Sequence, residues 1–100
     1  MKVPSGSINI TTQPQSKTVA AGTATSFTVA ATGTSLTYQW QLCAVGDVTF
    51  YDIEDETSTT LSLITTDVTT EASGNRYRCK ISDSNDSVYT NSAILTVTAE

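Results

Sequence analysis

The amino-acid sequence predicts an all-β fold: a two-sheet Greek-key sandwich of about seven strands. Three observations carry that expectation. Thr makes up about a fifth of the chain, and Val, Ile, Tyr and Phe add to it; this is the β-branched and aromatic set that suits a pleated, half-buried surface. Apolar and polar residues alternate with period two in one short segment after another, a pattern that the 3.6-residue period of an amphipathic helix does not reproduce. Gly, Asn, Asp and Ser separate those segments at the spacing of sandwich or barrel strands. A chain of 100 residues makes one domain, with room for a two-layer core. Its 38% hydrophobic and 15% charged residues belong to a folded chain rather than a disordered one.

The elements follow in order. Residues 1–7 read as a linker or as the edge of a piece cut from a longer protein, and residues 8–98 as the domain. Ile8 and Ile10 alternate with Ser7, Asn9 and Thr11 as a first strand. Pro14 interrupts its pairing, as proline does on edge strands, and Val19 continues the edge. After the Ala21-Gly22 turn, Phe27, Val29 and Ala31 share one face of a strand running from Thr25. A turn at Thr32-Gly33-Thr34 leads to the clearest alternation in the chain: Leu36, Tyr38, Trp40 and Leu42 on one face, Thr37, Gln39 and Gln41 on the other. Gly46-Asp47 precedes a strand Val48–Tyr51, and an acidic stretch from Asp52 to Glu56 follows. Thr60–Ile64 is the next strand. Arg76, Arg78 and Lys80 then alternate with Tyr77, Cys79 and Ile81, the run Ser82–Ser87 is a hairpin loop, and Ala93, Leu95 and Val97 mark the last strand.

Charge and composition exclude several functions. The net charge of −5 and pI near 4.3 oppose binding to phosphate backbones, so nucleic acid is not an expected partner. No run approaches the roughly 18 apolar residues of a membrane span, and Met1–Ser7 lacks the apolar core of an export signal. The chain has no His, which removes Ser–His–Asp and Cys–His nucleophile pairs. With only two Cys, a four-ligand zinc site has too few donors. The expectation is a non-enzymatic domain with no cofactor and no metal, monomeric in isolation.

Several segments together resemble immunoglobulin-like domains of the intermediate set, in their bacterial and bacteriophage form. Thr12-Gln13-Pro14-Gln15 with Thr18–Gly22 is similar to the opening edge-strand motif. Leu36-Thr37-Tyr38-Gln39-Trp40-Gln41 is similar to strand C with its core Trp, and Ala72–Cys79 to strand F, with Tyr77 at the tyrosine corner. Ser82–Asn85 followed by Asn91–Ala93 resembles the F–G hairpin. The resemblance implies an immunoglobulin-like sandwich over residues 8–98. It also implies a strand B Cys where this chain has Val29, so Cys79 lacks its usual partner.

The remaining Cys43 lies three residues after Trp40. With Trp40 facing in, Cys43 should face out while Cys79 faces in, a geometry that no disulfide spans without a bulge. Both are expected to be free thiols. Cys43 reads as an ordinary surface residue rather than as a reactive thiol or an intermolecular bridge. A domain without the buried bridge suits folding in a reducing cytosol. Among the contexts of the family, that suits a phage head decoration protein exposed on the virion. The alternative is an accessory or adhesive module of a bacterial surface protein or extracellular enzyme, displayed at the cell surface or secreted.

Two patterns are candidate sites. The carboxylates Asp52, Glu54, Asp55 and Glu56 suit calcium or glycosidic chemistry in type, but no EF-hand spacing or loop Gly accompanies them; they read as a solvated loop that limits edge pairing. Arg76, Arg78 and Lys80 should project together from one strand, with Gln39 and Gln41 on the neighbouring strand. That makes a polar ledge for acidic cell-surface carbohydrate, for a host surface or for a partner's carboxylates; without a ligand it is a solvated sheet face. Asn9-Ile10-Thr11 and Asn85-Asp86-Ser87 match the glycosylation acceptor pattern, which a chain this rich in Thr and Ser generates by chance.

Overall fold

The structure, a computed structural model, describes residues 8–99. The linker expected at residues 1–7 lies outside the described residues. Ten short strands follow in order: β1 (Asn9–Thr12), β2 (Lys17–Ala20), β3 (Thr25–Thr28), β4 (Ala30–Thr32), β5 (Thr37–Cys43), β6 (Tyr51–Asp52), β7 (Thr60–Leu63), β8 (Arg76–Ser82), β9 (Ser87–Tyr89) and β10 (Ala93–Thr98). Two of the expected strands are split: Pro14 separates β1 from β2, and a break at Val29 separates β3 from β4. Strand β9 is a short addition ahead of the expected last strand, from which Thr90–Ser92 separate it. Rejoined across these breaks, the segments make the expected seven strands.

One layer pairs β1 with β4 and β3 with β7, and the other runs β2-β10-β8-β5-β6 with β9 also on β8. The first strand therefore crosses between layers. Its Asn9–Thr12 half lies antiparallel to β4, and its Lys17–Ala20 half lies parallel to β10. Side chains fix the crossing: the Gln13 Oε1 accepts from Asn91 N at 2.8 Å and the Ser16 Oγ from Ile94 N at 2.9 Å. The expected strand Val48–Tyr51 shrinks to β6, two residues opposite Gln41 and Leu42.

The core lies between the layers, as the alternation requires. Phe27, Val29, Trp40, Leu61, Cys79, Ile81 and Leu95 are buried. The Phe27 and Tyr77 rings stack across the layers at 5.1 Å, and the Trp40 indole N–H donates to Ser58 O at 2.8 Å, so the burial leaves no unmet donor. Val29 and Cys79 share this core without a covalent link, and both cysteines are free.

One expectation about Cys43 fails. Its register opposite Arg76 puts it on the outer face of β5, as parity requires, yet it is fully buried. The β5–β6 loop folds over it. The Cys43 Sγ donates to Asp47 O at 3.4 Å, Arg76 Nη2 lies 3.7 Å from the sulfur, and Val45 N donates to Asn75 Oδ1 at 2.9 Å. Gly74, at φ +97, lies beneath this loop, where an added Cβ would meet Val45 at 3.0 Å.

Strand β7 is the free edge of its layer. Val29 N donates to Thr59 O, so odd residues from 59 to 63 pair towards β3 and even residues face outwards. Two of those outward positions are capped. Ser58 Oγ donates to Thr60 O at 2.8 Å and accepts from Thr60 N at 3.2 Å. Ile64 N donates to Asp67 Oδ2 at 2.9 Å. Such capping blunts an edge that would otherwise template another strand.

Candidate functional site

The outer face of β5 and β8 carries the residues singled out from the sequence. The two strands pair antiparallel with Gln39 opposite Lys80, Gln41 opposite Arg78 and Cys43 opposite Arg76. Directly opposed residues share a face, so the alternation brings these side chains to one side of the sheet. They do not form a uniform ledge, because three of them are committed to the fold.

Gln39 binds a turn. Its Nε2 donates to Ile53 O at 2.8 Å and to Trp40 O at 2.9 Å, holding the 53–56 segment against the edge of β5. Gln41 is 8% exposed and acts as a bridge: its Nε2 donates to Asp52 Oδ1 and its Oε1 accepts from Arg78 Nε, both at 2.8 Å. Arg76 holds the β5–β6 loop through Cys43 and Asp47 O. These roles require tertiary neighbours that strand parity does not reveal.

Arg78 is the centre of what remains. Its guanidinium carbon lies 4.1 Å from the centroid of the Phe50 ring and 4.1 Å from that of Tyr89. The cation is thus held between two aromatic faces, each an electrostatic partner for it. With Nε on Gln41, the plane is fixed, and the terminal amino groups make no hydrogen bond to the described residues. A guanidinium held in this way presents two parallel donors in the geometry of a carboxylate. Lys80 stands opposite Tyr89 in the β8–β9 pair, which places a second cation beside the half-exposed ring.

The alternation does not reveal Phe50 or Tyr89, and it leaves Asp52 in a solvated acidic loop rather than on Gln41. Tyr89 was accessible in principle, since hairpin pairing across Ser82–Ser87 sets residue 89 opposite residue 80. Phe50 belongs to the expected strand Val48–Tyr51 but sits outside any regular strand, so alternation could not set its face.

The acidic stretch does not gather. Asp52 serves Gln41, and no three carboxylate or thiol groups come together as a metal site among the described residues. Cys79 is no more reactive than its burial allows: desolvation pushes its thiol up to about 11, so it stays protonated at neutral pH. Burial likewise raises the Tyr77 hydroxyl, with an opposing hydrogen bond from Asn75 and a smaller push from Asp67.

No family model and no curated protein matches the chain. Solved structures do match it. Tandem Ig repeats of Dlar are similar with a TM-score of 0.74 at 18% identity, over 97% of this chain and 51% of that one. The fold is immunoglobulin-like. Titin domains Z1Z2, solved in complex with telethonin, give a TM-score of 0.66 at 23% identity over 93% of this chain and 48% of theirs. Sidekick-1 immunoglobulin domains 1–5 give 0.67 at 19% over 93% and 20%. The immunoglobulin-like domain thus spans about half or less of the length of these multidomain chains.

Proposed function

We propose that this domain is a non-enzymatic, surface-exposed binding module of a phage virion, at home in a head decoration protein, that adheres weakly to acidic cell-surface carbohydrate. The observation that carries the binding half is the fixed Arg78 fork between Phe50 and Tyr89, with Lys80 alongside. A uronate-type carboxylate meets the guanidinium edge, and the apolar face of a sugar ring rests on Tyr89. Such contacts are individually weak, so adhesion gains from many copies of the domain on one particle.

The virion context rests on the thiols. The core that would normally hold a disulfide holds Val29 and a protonated Cys79 instead, which favours folding where thiols stay reduced. A domain that folds inside a host cell and works outside it fits this chemistry.

The test is a double charge reversal. Arg78→Glu with Lys80→Glu is compared with Lys17→Glu, which lies on β2 at the far edge of the same sheet. Binding to polygalacturonate, with dextran as the neutral control, is measured at low and moderate salt. The reversal on β8 is expected to abolish binding and Lys17→Glu to leave it, with affinity falling as salt rises. Intact binding in a folded double variant would refute the site.

A further inference from the structure

A cleft of about 340 Å³ opens on the side of the sandwich where no strand joins β7 to β5 and β6. Its walls are mixed: Leu42, Ile53, Leu61 and Tyr77 line it beside Ser62 and Asn75, and Glu56 and Asp67 add two carboxylates. None of the strand-borne cations is placed to neutralise them. Arg76, Arg78 and Lys80 lie on the outer face of β8, and Lys17 lies on β2 at the opposite end of the sheet. Asp67 lies exposed with one carboxylate oxygen on Ile64 N and Glu56 is half-buried, so the cleft presents two solvated carboxylates with no cation beside them among the described residues.

The surroundings narrow the occupant. A partner strand would have to pair with the edge of β7, where Ser58 and Asp67 already cap Thr60 and Ile64. An inserted side chain needs no such pairing. A purely apolar one would desolvate the carboxylates without compensation. Arginine and lysine combine an apolar stem with a cationic head, which matches both parts of the lining. The net charge of −5 also draws basic surfaces to the domain.

We propose that this cleft seats an arginine or lysine side chain projecting from a basic partner protein. The site is separate from the outer face of β8 and does not depend on carbohydrate binding there.

The probe is N-acetyl-arginine methylamide, compared with its citrulline and norleucine counterparts, and the readout is methyl chemical shift in the labelled domain. The arginine probe is expected to shift Leu42, Ile53 and Leu61 saturably and to leave the Tyr89 backbone amide resonance, followed in parallel, unmoved. Citrulline and norleucine probes should bind at least about fivefold more weakly, since both lack the charge. Glu56→Gln with Asp67→Asn should remove the preference for arginine. The Asn side chain can still accept from Ile64 N–H, and a dispersed spectrum verifies that this variant is folded. Equal shifts with citrulline or norleucine, or shifts absent from Leu61, would overturn the proposal. So would sedimentation of the unliganded domain as a dimer that the double amide variant dissolves, because the occupant would then be a second copy.

Discussion

Cys79 and Cys43 are both free and both fully buried, for different reasons. Period two along β8 made the burial of Cys79 legible, as it did for Trp40 and Val29. Cys43 obeys the same parity but is covered by a loop with no periodicity, so its burial could not be read from strand alternation. Two consequences follow at this scale. Neither thiol should react promptly with a thiol reagent in the native protein, and two groups per chain should react once it is unfolded without reductant. A fast native reaction of one group would show that the 44–50 loop does not cover Cys43. The second consequence concerns alkaline pH. Cys79 holds its proton to about pH 11 in the folded chain against 9.0 in the reference state, so it has no effect on stability below the lower value. As pH climbs between the two, the unfolded chain loses this proton first and stability falls. The raised Tyr77 hydroxyl acts in the same direction at the upper end. Urea midpoints from pH 8 to 11, compared with those of Cys79→Ala, should show a decline that the variant flattens in its lower part; parallel curves would contradict this.

Strands were legible where their side chains alternate and illegible where hydrogen bonding alone decides. The Trp40 strand and the Cys79 strand were read with correct faces, and so was the hairpin between Ser82 and Ser87. The break at Val29 leaves the faces unchanged, whereas the one at Thr90–Ser92 shifts the alternation by one residue, from buried Thr90 to buried Ala93. Thr90 feeds its strand back onto β8, its N–H donating to Cys79 O and its Oγ1 accepting from Cys79 N, both at 2.9 Å. Strand β6 is short because the 53–56 turn takes over the edge of β5: Ile53 N donates to Trp40 O and Trp40 N to Glu56 O. The free edge of β7 is the element with most to reveal by mutation. Thr60–Leu63 contains no charge or proline, so its protection lies in Ser58 and Asp67. Removing both caps with Ser58→Ala and Asp67→Ala should leave a folded domain that self-associates, seen as a concentration-dependent rise in sedimentation coefficient. A strictly monomeric double variant would mean that some other feature guards the edge.

For the whole molecule, the sandwich was largely legible because its core obeys one rule, alternation on paired strands. The outer face was legible only in part, because its chemistry depends on which polar groups the fold consumes. Gln39, Gln41 and Arg76 were grouped with Arg78 and Lys80 by parity, yet three of the five are committed to a turn, a bridge and a loop. What remains is a single rigid cation with a second one beside it on an otherwise acidic domain. The central claim is that geometry, and not charge alone, makes this a site. Arg78→Lys separates the two, because it keeps the charge and removes the planar fork held between Phe50 and Tyr89. The decisive measurement is the affinity of this variant for polygalacturonate at low salt, with its fold verified by circular dichroism. Affinity is expected to fall at least about tenfold, the loss of one bidentate charge-assisted contact. Binding equal to that of the unsubstituted domain would contradict the claim and reduce the outer face to a diffuse positive patch.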